Sequence, residues 1–309
     1  MIKFAVEFFK LKVLKKIKAY TVLAKLRLTT SVLVSSVAGY LLGAGSVEGT
    51  AFSWFTFMLL VLGGFLVIAS SNGFNQVYER DTDGLMKRTA ERPLPTGVLS
   101  PTEGMVFSTI AGVVGLLILS YINMKCAIFG AIALVLYAAV YTPLKRVSPV
   151  AVLVGAFPGA IPAMLGWVAA TDQFGLEAGI LFGIQFLWQF PHFWAIAWLQ
   201  DDEYKKAGIR LLPTGLRDKR SAIQAMAYTL WLIPLSLLPA IFPYMGVEMD
   251  LKLSIVGGVL VLLCGLFLFQ KANHLVKECS MDAARKLMFS SLIYLPLVQL
   301  IYVIDKFLR

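Results

Sequence analysis

Apolar residues along this chain come in long blocks, without the alternation of a half-buried strand. Nine blocks, centred on 28–47, 52–76, 104–123, 126–143, 149–170, 178–199, 222–244, 253–270 and 287–304, match the roughly 17–25 residues that a helix needs to cross a bilayer core. In hydrocarbon every backbone polar group must be satisfied internally, which leaves helices for runs of this kind. The expected fold is an all-α polytopic membrane protein, a bundle of nine transmembrane helices. Only the Pro143 to Pro149 turn separates the fourth block from the fifth, and no stretch is left for a water-soluble domain. Residues 28–309 are expected to form a single transmembrane domain, and residues 1–27 differ in character. There Lys3, Lys10, Lys12, Lys15, Lys16 and Lys18 interleave with Phe4, Phe8, Leu11, Leu14 and Ile17, the pattern of a basic amphipathic helix lying on an anionic leaflet. The segment lacks the apolar core and cleavage site of a secretory signal, and Glu7 and the late first arginine, Arg27, argue against a mitochondrial transit peptide.

Composition sharpens this reading. The 309 residues are 58% hydrophobic and 15% charged, against about 25% charged in a soluble chain. So little charge cannot cover a water-facing surface, which excludes a disordered chain and a nucleic-acid-binding module. Cys126, Cys264 and Cys279 are dispersed and have no CxxC spacing, so neither a disulfide scaffold nor a structural zinc site is indicated, and they read as apolar fillers. The net charge of +10 is unevenly placed. The N-terminus, the 79–103 loop, Lys145 with Arg146, the 201–221 loop and the 271–286 loop hold 24 of the 28 basic residues, leaving Lys125, Lys252, Lys306 and Arg309 to the other face. The excess of Lys and Arg on cytoplasmic loops then puts the N-terminus inside and the C-terminus outside.

Acidic residues gather at two points of that same face. Asn75, Glu79 and Asp83 follow one another at i, i+4 and i+8 with Asn72 three residues earlier, one helical stripe at the end of the second block, from which Asp81 is displaced. The sixth block ends in Asp201, Asp202 and Glu203. Oxygen donors grouped in this way suit Mg²⁺, which takes one or two carboxylates together with substrate phosphates. Lys87, Arg88 and Arg92 follow the first cluster, and Lys205, Lys206 and Arg210 follow the second, so metal and phosphate ligands together compose a diphosphate clamp. Within the sixth block Gln185, Gln189 and His192 form a polar stripe beside Pro191. Intramembrane polar groups of this kind face a bundle interior or a cavity, and His192 is either a ligand of a bound molecule or a core histidine satisfied by a neighbouring helix. Trp188, Phe190, Phe193, Trp194 and Trp198 suit a porphyrin or isoprenoid wall and suit helix packing equally. Gly155, Pro158, Gly159, Pro162 and Gly166 predict a broken, closely packed fifth span.

The segment NGFNQVYERDTDGLMKRTAERPLPTG resembles the first aspartate-rich motif of the UbiA superfamily of intramembrane prenyltransferases. Together with YTPLKR and WQFPHFWAIAWLQDDEYKKAGIRLLP it is similar to the branch of that superfamily that farnesylates haem, over about residues 25 to 305. The resemblance implies farnesyl diphosphate as donor, a vinyl group of protohaem IX (haem b) as acceptor, haem O as product and Mg²⁺ as cofactor, with haem as a substrate and not a resident group. The short Lys-rich N-terminus favours a bacterial plasma membrane, the charge asymmetry puts the site loops in the cytoplasm, and the resemblance implies a downstream haem A synthase as partner. By position it assigns Asn75, Glu79, Asp83, Asp202 and Glu203 to catalysis, with the metal on Asn75, Glu79, Asp83 and Asp202. Asn72, Arg88, Arg92, Lys145 and Arg146 would hold the diphosphate, and His192 and Gln189 the haem. DDEY departs from the DxxxD pattern of other branches, which leaves the choice among Asp201, Asp202 and Glu203 open. Two other readings stand beside this one: a UbiA-type prenyltransferase for a quinone precursor, against which QFPHFW and AGIRLLP argue, and a secondary transporter. The transporter reading suits broken helices and midplane polar groups but not acidic groups gathered at one face.

Overall fold

A computed structural model describes the backbone of residues 2–309 and the side chains from residue 13 onward. The helices are α1 (Ile2–Leu23), α2 (Leu26–Gly43), α3 (Trp54–Asp83), α4 (Pro101–Ile122), α5 (Met124–Leu144), α6 (Ala151–Thr171), α7 (Leu176–Lys206), α8 (Lys219–Ile241), α9 (Ile255–Glu278) and α10 (Met281–Leu308). Among the described residues there is no strand, and nine helices, α2 to α10, are long and apolar enough to cross a membrane.

Several helices outrun their apolar blocks. α3 continues from the block's end near residue 76 to Asp83, and α7 from near 199 to Lys206. The 271–286 stretch, expected as a loop, is largely helical, so His274 stands on α9 and pairs with Glu278. Hydropathy marks where hydrocarbon ends, whereas a helix ends where its backbone bonds find other partners. Local sequence fixes the starts: Ser53, Ser254 and Ser280 accept a backbone N–H at the first turns of α3, α9 and α10, and Ser100 with Glu103 closes a capping box over Pro101 on α4.

α2, α6, α7 and α10 touch one another in a closed ring, and the remaining spans pack outside it. The α2–α6 crossing is the tightest. A Cβ on Gly39 would fall 2.0 Å from the Ala163 carbonyl oxygen, and one on Gly166 would fall 2.0 Å from that of Ser36, so each helix brings its backbone against the other through a missing side chain. α6 is a continuous helix despite Pro158 and Pro162, contrary to the broken span expected. In the proline-weakened stretch, the Gln185 and Gln189 amides of α7 donate to the Gly159 and Ala156 carbonyls at 2.8 and 2.9 Å and hold the helix in place. The ring closes where the Lys306 ammonium of α10 donates to the carbonyls of Leu41, Leu42 and Ala44, a cation on the C-terminus of α2. Much of the remaining surface is apolar, as a lipid-facing exterior requires. On α1, Val13, Leu14 and Ile17 are exposed beside Lys15 and Lys18, while Lys16 pairs with Glu103 of α4. The expected contributions of Lys3, Phe4, Phe8, Lys10, Leu11 and Lys12 lie outside the described side chains.

Candidate active site

The α3 stripe forms as its spacing predicts. Asn72, Asn75, Glu79 and Asp83 are all buried at one end of the bundle, and Asp81 is exposed. Charged and amide groups so placed are costly unless partnered, and most of the partners come from other helices. Lys145, at the end of α5, binds the Glu79 carboxylate at 2.7 Å, and Arg92 binds Asp83 Oδ2 at 2.6 Å. The Asn75 amide donates to Thr142 Oγ1 at 3.2 Å, and its oxygen accepts from Lys25 Nζ at 3.2 Å. Asn72 donates to Thr29 Oγ1 at 3.3 Å and reaches the Ala24 carbonyl, while the Gln76 amide donates to the Leu23 carbonyl at 2.7 Å. α3 therefore caps the end of α1 and fixes the turn that delivers Lys25.

Lys25 and Thr142 are the site residues that sequence reasoning missed. Lys25 sits at the α1–α2 junction with φ 48° and ψ 54°, in the left-handed region. Burial of its amino group, with Arg92 and Lys145 nearby, pulls its pKa down to about 7. In sequence it is one more lysine of a basic segment, and only its position between amphipathic and spanning stretches sets it apart. Thr142 is positioned by a local departure from α-helix: residues Leu136–Tyr141 form a π-helical turn in α5, and the Thr142 hydroxyl bonds back to the Tyr137 carbonyl at 2.8 Å. Such turns recur at functional sites because the extra residue re-aims side chains. Tyr141 lies against Gly155 of α6, and Lys145 Nζ sits 4.5 Å from its ring centre.

The second acidic segment is placed differently from expectation. Asp201 is buried and pairs with Lys205 at 2.7 Å and Arg217 at 3.5 Å, whereas Asp202 is exposed and paired with Arg217 at 3.0 Å. Glu203 accepts from the Lys87 N–H at 2.9 Å, and the Arg210 N–H donates to the Lys145 carbonyl at 3.3 Å, so the end of α7 is tied to the ends of α3 and α5. Met86, Ala207 and Ile209 pack together between the two loops. Arg88 is exposed, and Arg146, also exposed, donates to Thr82 Oγ1 at 3.0 Å. Among the described residues no three His, Cys, Asp or Glu side chains converge as a metal cage. Three buried side-chain oxygens among the described residues have no partner, Gln76 Oε1, Gln185 Oε1 and Asp83 Oδ1, and the last is the one that belongs to a carboxylate. An orphaned carboxylate oxygen beside the Asn75 and Glu79 oxygens fits a hard cation that completes its shell with phosphate oxygens.

An apolar cavity begins at Asn72 and Tyr137 and runs inward between Val32, Gly64, Leu119 and Leu165. Gln185 and Gln189 turn towards α6, with Gln189 filling the space over Gly159. Phe190 and Trp194 pack on Tyr228 of α8, so these aromatics serve helix packing, and Trp198 is fully buried. His192 faces α10 instead, 2.9 Å from Ser291 Oγ.

The UbiA prenyltransferase family model matches residues 32–293. The chain belongs to the UbiA prenyltransferase family. A protoheme IX farnesyltransferase of Christiangramia forsetii is 50% identical over 287 residues, covering 93% of each chain. Two solved structures share the UbiA fold at lower identity. A digeranylgeranylglyceryl phosphate synthase has a TM-score of 0.78 and 21% identity, covering 95% of this chain and 99% of its own. A UbiA homologue of Archaeoglobus fulgidus, bound to GPP and Mg²⁺, has a TM-score of 0.70 and 17% identity, covering 92% and 99%.

Proposed function

We propose that this UbiA-family protein transfers the farnesyl group of farnesyl diphosphate to a vinyl group of protohaem IX, giving haem O and diphosphate. The observation that carries the reading is the junction at Asn72: cations and oxygen donors on one side, an apolar cavity on the other. An allylic diphosphate is this kind of molecule, charged at one end and apolar along the rest. The 50% identical relative supports haem as acceptor.

Lys25, Arg92 and Lys145 hold the diphosphate, with Arg88 and Arg146 at the rim and Asn72 at the cavity mouth. As the allylic C–O bond breaks, the charge gathering on the leaving oxygen is met by these preorganised cations. Asn75, Glu79 and Asp83, with a carboxylate of the 201–203 segment, would hold Mg²⁺, which would supply further positive charge on the departing group. Asp201 is the carboxylate that α7 buries, and we place it ahead of Asp202 and Glu203 for that role. The walls between Val32 and Leu165 keep water from the allylic carbon, which bonds to the terminal vinyl carbon. The cation left beside the porphyrin takes up water and releases a proton, giving the hydroxyethylfarnesyl group. The site loops face the cytoplasm of a bacterial plasma membrane in this reading, and a haem A synthase consumes the product.

Purified protein given haem b, farnesyl diphosphate and Mg²⁺ is expected to yield a porphyrin heavier by a hydroxyethylfarnesyl substitution, read by mass spectrometry. EDTA is expected to stop product formation and added Mg²⁺ to restore it. Asp83→Ala or Glu79→Ala should lower turnover by about a hundredfold or more in protein that still extracts as a folded species. Wild-type turnover by Asp83→Ala would remove the metal assignment.

A further inference from the structure

Two residues one turn apart on α7, Trp188 and His192, both engage a single residue of α10. The Trp188 indole N–H donates to the Ser291 carbonyl at 2.6 Å, and His192 Nδ1 lies 2.9 Å from Ser291 Oγ. Ser291 is fully buried, and its one hydroxyl proton is already donated to the Met288 carbonyl at 2.7 Å. With that proton on Met288, Oγ is left to accept from the ring, and this pairing assigns the proton of the contact to Nδ1. A neutral imidazole has a single N–H, so Nε2 is left as a lone pair, and no described residue donates to it. The plane of the ring is held too: Trp188 stacks on it with centroids 4.7 Å apart and an interplanar angle of 15°.

We infer that Ser291 is a positioning residue for the acceptor: it holds His192 as the Nδ1–H tautomer and leaves Nε2 to bind an electron-pair acceptor, the iron of a metalloporphyrin. The inference rests on the haem reading above. An imidazole that ligates a metal through one nitrogen is oriented by the hydrogen bond from the other, and loss of that bond costs about 10–100-fold in affinity. Thr and Ser offer Nδ1 an oxygen acceptor, whereas Ala does not. Trp188 stacks on one face of the ring and fixes its plane.

The test uses the full-length protein in lipid nanodiscs, titrated with ferric protohaem in the absence of donor. Affinity is read from the Soret band and axial ligation from electron paramagnetic resonance, with farnesyl diphosphate binding as the check that each variant is folded. Wild type is expected to show an imidazole-ligated iron, and His192→Ala to lose that signature. Ser291→Ala should bind haem about tenfold more weakly with an altered ligand-field signal, and Ser291→Thr should return both towards wild type. A Ser291→Ala protein with unchanged affinity and spectrum overturns the inference, as does an imidazole signature that persists in His192→Ala. Either result leaves haem farnesylation standing if wild type still makes the farnesylated porphyrin. A wild type that neither binds haem nor makes that product defeats the haem reading itself.

Discussion

Lys25 adopts a left-handed backbone at φ 48°, which costs a residue with a Cβ about 1–2 kcal/mol. The chain tolerates this where the α1–α2 turn is held by Asn72, Gln76 and Thr29, and the strain delivers an ammonium to Asn75. Burial, and then its neighbours Arg92 and Lys145, disfavour its charge, and an arriving diphosphate would favour it. Lys25→Met is therefore expected to raise the KM for farnesyl diphosphate about ten- to a hundredfold while kcat falls less, one charged contact being worth roughly 1.5–3 kcal/mol; steady-state kinetics at fixed haem measures both. An unchanged KM would separate Lys25 from donor binding. Glu79 and Asp83 were legible in the sequence because carboxylates at the end of an apolar helix announce themselves by spacing. Lys25 was not, because its role depends on a turn that brings it beside a helix some fifty positions away. The choice between Asp201 and Asp202 was equally hidden, since both stand at the same helix end and only the tertiary burial of one tells them apart.

Among the elements, block length predicts each spanning helix and its approximate place, and fails at the ends of α3, α7 and α9, where polar residues continue the helix. The π-helical turn of α5 had no periodic signature, because it adds one residue to a run that is apolar throughout. The glycines of α6 were legible as packing residues, but which neighbour each admits was not. Gly166 admits the backbone of α2, so Gly166→Leu should force the helices apart and cost about 1–3 kcal/mol or more, seen as a lower thermal midpoint in detergent. On α5, Ala133 lines the apolar cavity between Gly130 and Tyr137. Ala133→Phe is expected to shorten the space for the donor's tail and shift preference towards geranyl diphosphate by about tenfold in kcat/KM, measured with the two donors in competition. Unchanged preference would mean that the tail lies elsewhere.

At the scale of the whole molecule the charge asymmetry read from the sequence makes a topological claim that chemical labelling can decide. In a variant free of native cysteines, Thr96→Cys should react with an impermeant maleimide only from the cytoplasmic side and Glu248→Cys only from the other; the reverse pattern would invert the orientation. The same asymmetry leaves few cations on the far face, and one of them, Lys306, caps three carbonyls at the end of α2. That contact bears on how the protein is made. The helix nearest the N-terminus of the ring has its last carbonyls satisfied by a side chain that emerges at the close of synthesis. The chain from Lys25 to Arg217, which supplies the diphosphate end, has been made by then, but the ring of α2, α6, α7 and α10 is still open. A Lys306→Ala chain should therefore pass through insertion normally and stay sensitive to proteolysis near the end of α2 for longer than wild type in a pulse-chase experiment. Biogenesis would then end with a lock turned from the far side of the membrane, opposite to the face where the chemistry is done.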